Sequence, residues 1–167
     1  MKNIILIGLP GAGKSTLGVV LAKSLGMKFI DTDIVIQEMA GRILQEIINT
    51  DGCDFFLKTE EESILKLSPC NAVVATGGSV VYSDQAMKHL KMNGIFVYLN
   101  ISYDEMIRRL NNINTRGIIR IPGQTLHDLY NQRIPLYEKY SDIRIDCSGD
   151  DFEHTVEKII DGTLKLL

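Results

Sequence analysis

Apolar positions along the chain fall into two alternating patterns, short unbroken runs and longer stretches in which they recur at helical spacing. Asn3 to Ile7 is a compact apolar run that stops at Gly8, which predicts a buried strand. Lys14 to Leu25 then carries Leu17, Val20, Leu21 and Leu25 on one helical face, and Gly26 stands where a left-handed residue would close that helix. The same reading predicts strands at Lys28 to Ile30, Ala72 to Ala75, Ile95 to Leu99 and Ile143 to Asp146, all five expected to be buried. Helices are predicted over Asp33 to Ala40, Ile43 to Ile48, Phe55 to Leu67, Ser83 to Met92, Tyr103 to Asn111, Thr125 to Tyr140 and Asp151 to Leu166. Ser102 followed by Glu105 reads as a capping box.

Strands alternating with helices imply parallel pairing through right-handed crossovers, hence a three-layer α/β sheet. Ligands of such sheets bind beyond the carboxyl ends of the strands. Two segments depart from this layering. The helical insertion from about Asp33 to Leu67 is expected to form a substrate-binding subdomain. Asn111 to Gln124 contains Gly117, Pro122 and Gly123 without periodicity and is expected to be a mobile lid.

At 167 residues with 45% hydrophobic and 23% charged positions, the chain suits one globular domain. Eighteen Lys and Arg against 21 Asp and Glu give a net charge of -3, which argues against a nucleic-acid partner, so any anion site must be local. The longest apolar stretches, Ile4 to Leu9 and Gly94 to Leu99, are too short to span a bilayer, and no leader pattern opens the sequence, so a cytoplasmic location is expected. Cys53, Cys70 and Cys147 are scattered, as are His89, His127 and His154, which suits reduced thiols and surface imidazoles better than a disulfide or zinc framework.

Gly8-Leu9-Pro10-Gly11-Ala12-Gly13-Lys14-Ser15 matches the phosphate-binding pattern G-x-x-x-x-G-K-[ST], directly after a strand and before a helix. Such a loop turns backbone N–H groups inward around phosphates, its lysine reaches the outer phosphates and its serine hydroxyl can ligate magnesium. Gly11, Ala12, Gly13, Lys14, Ser15 and Thr16 are accordingly expected to bind a nucleotide. Asp31-Thr32-Asp33 follows the second strand, so two carboxylates reach the ligand edge, one for the metal shell and one to orient or deprotonate a hydroxyl. Capping of the next helix, by Asp33 or in second place by Asp31, is the competing use.

Thr76-Gly77-Gly78-Ser79 ends the third strand at the same edge, where paired glycines allow close approach and expose N–H donors, unless they form a plain loop. Arg116 and Arg120 in the lid and Arg133 beyond it are candidate partners for phosphate or carboxylate, or else solvated. Phe55 and Phe56 precede Glu60-Glu61-Glu62 on a helix that either walls a pocket or buries Phe and solvates Glu. Pro135, inside a helical pattern, is expected to kink that helix and set the bearing of Arg133.

Taken in order, the loop Gly8 to Ser15, Asp31-Thr32-Asp33, Gly41-Arg42, Asp51-Gly52, Phe56 with Glu60, Thr76-Gly77-Gly78 and Gln132 to Tyr137 resemble the shikimate kinase family over nearly the whole chain. The resemblance implies a P-loop kinase fold of the nucleoside-monophosphate-kinase-like type, with a five-stranded parallel sheet in order 2-3-1-4-5, a substrate subdomain and a closing lid. It implies transfer of the ATP γ-phosphate to a hydroxyl of shikimate with Mg2+, normally by a monomer. Carried across by position, Lys14 would hold the β/γ-phosphates, and Ser15 and Asp31 would serve the metal. Asp33 would bind the acceptor hydroxyls and act as base. Gly77, Gly78 and Arg133 would line the acceptor pocket, and a lid arginine, Arg116 or Arg120, would assist transfer.

The chain departs from the pattern in its carboxylate clamp. The family's arginine after the substrate-helix phenylalanine is here Leu57, with Lys58 the nearest substitute. The third of its three glycines is Ser79, and Arg116 precedes Gly117 where the family has proline. Three functions stay open on these residues: a shikimate kinase with a modified clamp, a related kinase for another small hydroxy acid or hydroxy amino acid, and a nucleotide-hydrolysing regulatory module.

Overall fold

In the computed structural model, which describes residues 2–111, 118–149 and 151–166, five parallel strands make one sheet in the order β2-β3-β1-β4-β5. β1 (Asn3–Ile7) lies between β3 (Ala72–Ala75) and β4 (Gly94–Asn100), with Ile5 opposite Val74 on one side and Phe96 on the other. Ile4, Ile5, Leu6 and Ile7 expose nothing, so both faces of the central strand are covered. Four such side chains contribute roughly 6–12 kcal/mol as an upper estimate, which makes β1 the anchor of the core.

The edge strands correct the expectation that all five are buried. In β2 (Lys28–Asp31) Lys28 is exposed and the other residues half-buried, and in β5 (Ile143–Asp146) Arg144 and Asp146 are exposed. Each has one strand neighbour, so its outer side meets solvent.

Helix α1 (Lys14–Leu25) follows β1 through the glycine-rich loop and ends at left-handed Gly26. Helix α2 (Thr32–Ala40) starts where β2 stops, and its cap is Asp31, whose carboxylate accepts the Asp33 amide at 3.0 Å. The capping order expected from sequence is thus reversed. Helix α3 (Leu44–Lys66) joins what the sequence predicts as two helices, its path broken at Gly52, where φ is 86°. Arg42, before α3, pairs with Asp51 at 2.5 Å and ties the start of the α3 segment to its middle.

α2 and α3 pack around a satellite cluster of Ile36, Ile47, Phe56 and Ile119, against which Cys53 and Leu57 are partly buried. Beyond β3 come a 3₁₀ turn at Val80–Tyr82, α4 (Asp84–Lys91), α5 (Tyr103–Asn111), α6 (Leu126–Tyr140) and α7 (Phe152–Leu164). At the start of α5 the Ser102 hydroxyl accepts the Glu105 amide at 3.2 Å, but the Glu105 carboxylate turns to Arg108 and Arg109. The complete capping box is instead Thr125 with Asp128, at the start of α6. α6 continues through Pro135 to Tyr140 as one helix. Arg116 and Gly117 lie outside the described residues. Among the described residues no helix is long and apolar enough to cross a membrane.

Candidate active site

Parallel strands deliver the loops after β1, β2 and β3 to one edge of the sheet. At the first, Gly13 precedes α1 with a φ of 90° and no side-chain cap, so the opening amides of α1 lie in an anion-binding nest. Lys14 is 6% exposed, and its ammonium donates to the carbonyls of Gly8 at 2.8 Å and Leu9 at 2.9 Å, folding the side chain over the loop. Ser15 donates from Oγ to Asp31 Oδ2 at 2.6 Å. A hydroxyl and a carboxylate oxygen at this separation are the hard donors that Mg2+ takes alongside phosphate and water. Among the described residues no group of three His, Cys, Asp or Glu is placed to hold a metal unaided.

A cleft of about 310 Å³ opens beside Lys14 and Ser15 and takes in Asp31, Asp33, Gly77, Gly78 and Arg133, with Ile34, Leu44, Phe56 and Ile119 as its apolar wall. The two glycines are required by close approach. A Cβ on Gly77 would stand 2.5 Å from Glu60 Oε1 and 3.0 Å from Asp33 Oδ1, and one on Gly78 would stand 2.8 Å from Arg133 Nη1. The amide of Gly77 donates to Thr32 Oγ1 at 3.1 Å, which corrects the expectation that this N–H is offered to a ligand.

Arg133 is 2% exposed. Its Nε donates to the Tyr82 hydroxyl at 3.2 Å, its Nη2 donates to the Ile119 carbonyl at 2.8 Å, and its guanidinium lies 5.3 Å from the Tyr82 ring centre. These contacts hold the guanidinium in place. Tyr137 donates to the Gly78 carbonyl at 2.6 Å.

Glu60 lies under this floor. It is 2% exposed, its Oε2 accepts the Ser79 hydroxyl at 2.7 Å, and its Oε1 has no hydrogen-bond partner among the described residues. Burial pushes its carboxyl up to about 7. The sequence left this acidic stretch either walling a pocket or facing solvent, and the structure turns Glu60 inward. Its spacing of four residues from buried Phe56 and from Ile64 was the available signal, since all three share one face of α3. Glu61 accepts the Ser83 hydroxyl, and Phe55 is exposed.

The structure therefore brings Lys14, Ser15, Asp31, Asp33, Gly77, Gly78 and Arg133 to one cleft. It does not bring Lys58, which is exposed on α3 outside the cleft lining, or Leu57, which packs in the satellite cluster. Arg120 is exposed along a separate shallow groove, and its carbonyl accepts the Cys53 thiol at 3.1 Å.

A second cleft, about 400 Å³, lies on the far side of the loop between Gly11, Ala12, Gly13 and Thr16 and the residues Arg108, Arg109, Cys147 and Phe152. Arg109 crosses it, donating to the carbonyls of Gly11 at 3.2 Å and Cys147 at 2.7 Å. Glu105 holds both arginines, and Arg108 foremost drives its carboxyl down to about 2. Sequence reasoning missed Arg109, whose only signal was two adjacent arginines in the last turn of a helix.

Two clefts meeting at one glycine-rich loop, with a lysine and a serine–aspartate pair between them, define a P-loop kinase of the nucleoside-monophosphate-kinase-like class. The shikimate kinase family model matches residues 10–163. The shikimate kinase of Thermodesulfovibrio yellowstonii is 40% identical over 96% of this chain and 94% of its own, and that of Haemophilus influenzae is 37% identical over 96% and 91%. A solved shikimate kinase from Acinetobacter baumannii in complex with shikimate superposes with a TM-score of 0.90 at 31% identity, over 99% of this chain and 94% of that one. The chain belongs to the shikimate kinase family.

Proposed function

We propose that the protein transfers the γ-phosphate of ATP to a hydroxyl of shikimate, with Mg2+ as the metal. The observation that carries this reading is the placement of Asp33 and Arg133 in a cleft that opens directly onto Lys14 of the phosphate loop. Arg133 pairs the acceptor carboxylate, Asp33 receives the acceptor hydroxyl and takes its proton, and Lys14 holds the outer phosphates as negative charge shifts during transfer. Ser15 and Asp31 would hold Mg2+, which neutralises phosphate charge when bound. The second cleft, with Arg109 across it, takes the nucleotide base and ribose.

The α2–α3 hairpin serves as the acceptor subdomain of a single domain, and the segment around residues 111–124 serves as its lid, with Arg116 or Arg120 supplying the lid charge. Closure excludes water, the competing nucleophile. The enzyme works as a monomer in the cytoplasm, without a nucleic-acid or membrane partner.

A second reading, a related kinase for another small hydroxy acid or hydroxy amino acid, is favoured by one observation. α3 contributes Leu44, Gln45 and Phe56 to the cleft and no cation, because Leu57 and Lys58 both lie outside it. A coupled ADP-release assay with ATP and Mg2+, run with shikimate and then with a panel of hydroxy acids and hydroxy amino acids, separates the readings. Saturation by shikimate supports the first. Saturation only by another acceptor supports the second, and release indifferent to every acceptor would leave a nucleotide-hydrolysing module.

A further inference from the structure

Two carboxylates converge on the space a Cβ on Gly77 would fill, Glu60 Oε1 at 2.5 Å from that point and Asp33 Oδ1 at 3.0 Å. Asp33 reaches it from α2 and lines the open cleft, whereas Glu60 reaches it from α3 and lies wholly beneath. Like charges this close do not both ionise readily, and the group shut away from water is the one that keeps its proton. Glu60 is that group. Ser79 serves Oε2 alone, and among the described residues Oε1 has no hydrogen-bond partner.

The charged and titratable groups facing Glu60 are Asp33 from α2, Arg133 and Tyr137 from α6 and Lys14 from the phosphate loop. Arg133 and Lys14 favour ionisation less than burial opposes it. On α3 itself the position one turn before Glu60, where a base would compensate its charge, is filled by Phe56 and Leu57.

We propose that Glu60 is a positioning residue for the acceptor, working as an uncharged carboxyl group with its proton on Oε1, so that of the two carboxylates at Gly77 only Asp33 carries a negative charge. The inference rests on the kinase reading above. An ionised Glu60 would raise the proton affinity of Asp33 and repel an acceptor that carries a carboxylate, and it would do so through Gly77 without touching the acceptor.

The test is the pH dependence of acceptor and ATP kinetics in the wild type and in Glu60→Gln, with infrared difference spectra of the carboxylic-acid band across the same range. In the wild type the acceptor KM should rise by roughly three- to tenfold as Glu60 ionises around and above neutrality, with the ATP KM flat. Glu60→Gln should hold the low-pH acceptor KM throughout and lack the titrating band. A flat wild-type profile, or a slope that persists in Glu60→Gln, would overturn the assignment, as would a wild-type spectrum without a protonated carboxyl band assigned by that variant. No acceptor-dependent ADP release at any pH would remove the kinase reading, and with it the positioning role, while the band would still report whether Glu60 holds a proton. Leu57→Arg, which places a base one turn from Glu60, provides a second variant. It should erase both the slope and the band, and their survival would count against the proposal.

Discussion

The Ser15 hydroxyl donates to one oxygen of Asp31 at 2.6 Å while the other oxygen of the same carboxylate accepts the Asp33 amide at 3.0 Å. One acid thereby joins the start of α1 to the start of α2. Asparagine caps helices as well as aspartate does but brings no charge to a metal. Asp31→Asn is expected to keep its melting temperature within a few degrees while raising the Mg2+ concentration for half-maximal activity by about 10–100-fold. A magnesium titration that overlays the wild type would remove Asp31 from the metal shell.

Because Asp31 performs the capping, the side chain of Asp33 is not needed for it. Asp33→Asn should reduce kcat by about 10²–10⁴ with the ATP KM held within about twofold. Steady-state kinetics in both substrates decide this, and an unchanged kcat would reduce Asp33 to a residue of the first turn of α2.

Leu57 packs against the satellite cluster of Phe56 and Ile119 instead of lining the cleft. Restoring a cation there should add a charge-assisted contact worth about 1.5–3 kcal/mol, so Leu57→Arg is expected to tighten shikimate by roughly one to two decades. Calorimetric titration with shikimate measures it. Unchanged or weaker binding would mean that the cleft is built for a different acid.

Glu60 also links stability to pH. Its carboxyl is at about 7 when folded against an ordinary 4.5, so the folded state holds a proton that the unfolded chain gives up. Stability should fall as pH rises from the lower value to the higher, by up to about 3 kcal/mol, and level off beyond. Glu60→Gln has no proton to lose, so its stability relative to wild type should be greater by that order above neutrality than in mild acid. Denaturant titrations at the two extremes check the sign, and an identical difference at both would show that Glu60 is charged in the fold.

The strand cores and the phosphate loop were legible in the sequence because each is a local pattern. Asn3–Ile7 and the loop before Lys14 need only their neighbours to be recognised, and the sheet order followed from resemblance to the family. The edge strands were not legible as edges, since β2 and β5 differ from the inner strands by position rather than composition. Gly52 was invisible as a break inside one element, because a single glycine and a gap between two helices look alike in a hydrophobic pattern. Whether Glu60 is buried or solvated stayed open for a related reason. A run of three glutamates averages as polar, and only the Phe56–Glu60–Ile64 face reveals that one of them is carried under Gly77. Arg109 owes its place to carbonyls nearly a hundred residues away in one case, which no local window contains.

The three thiols differ in a way that matters for spectroscopy. Cys147 is 3% exposed with its thiol pushed up to about 12 by burial, and Cys53 is half-buried with its thiol donating to the Arg120 carbonyl. Cys70 alone among them is exposed, and it sits two residues before β3, at the sheet end opposite both clefts. A maleimide dye added to the native enzyme will therefore settle on Cys70 and report from a place where neither nucleotide nor acceptor collides with it, giving a single-colour handle without engineering the chain.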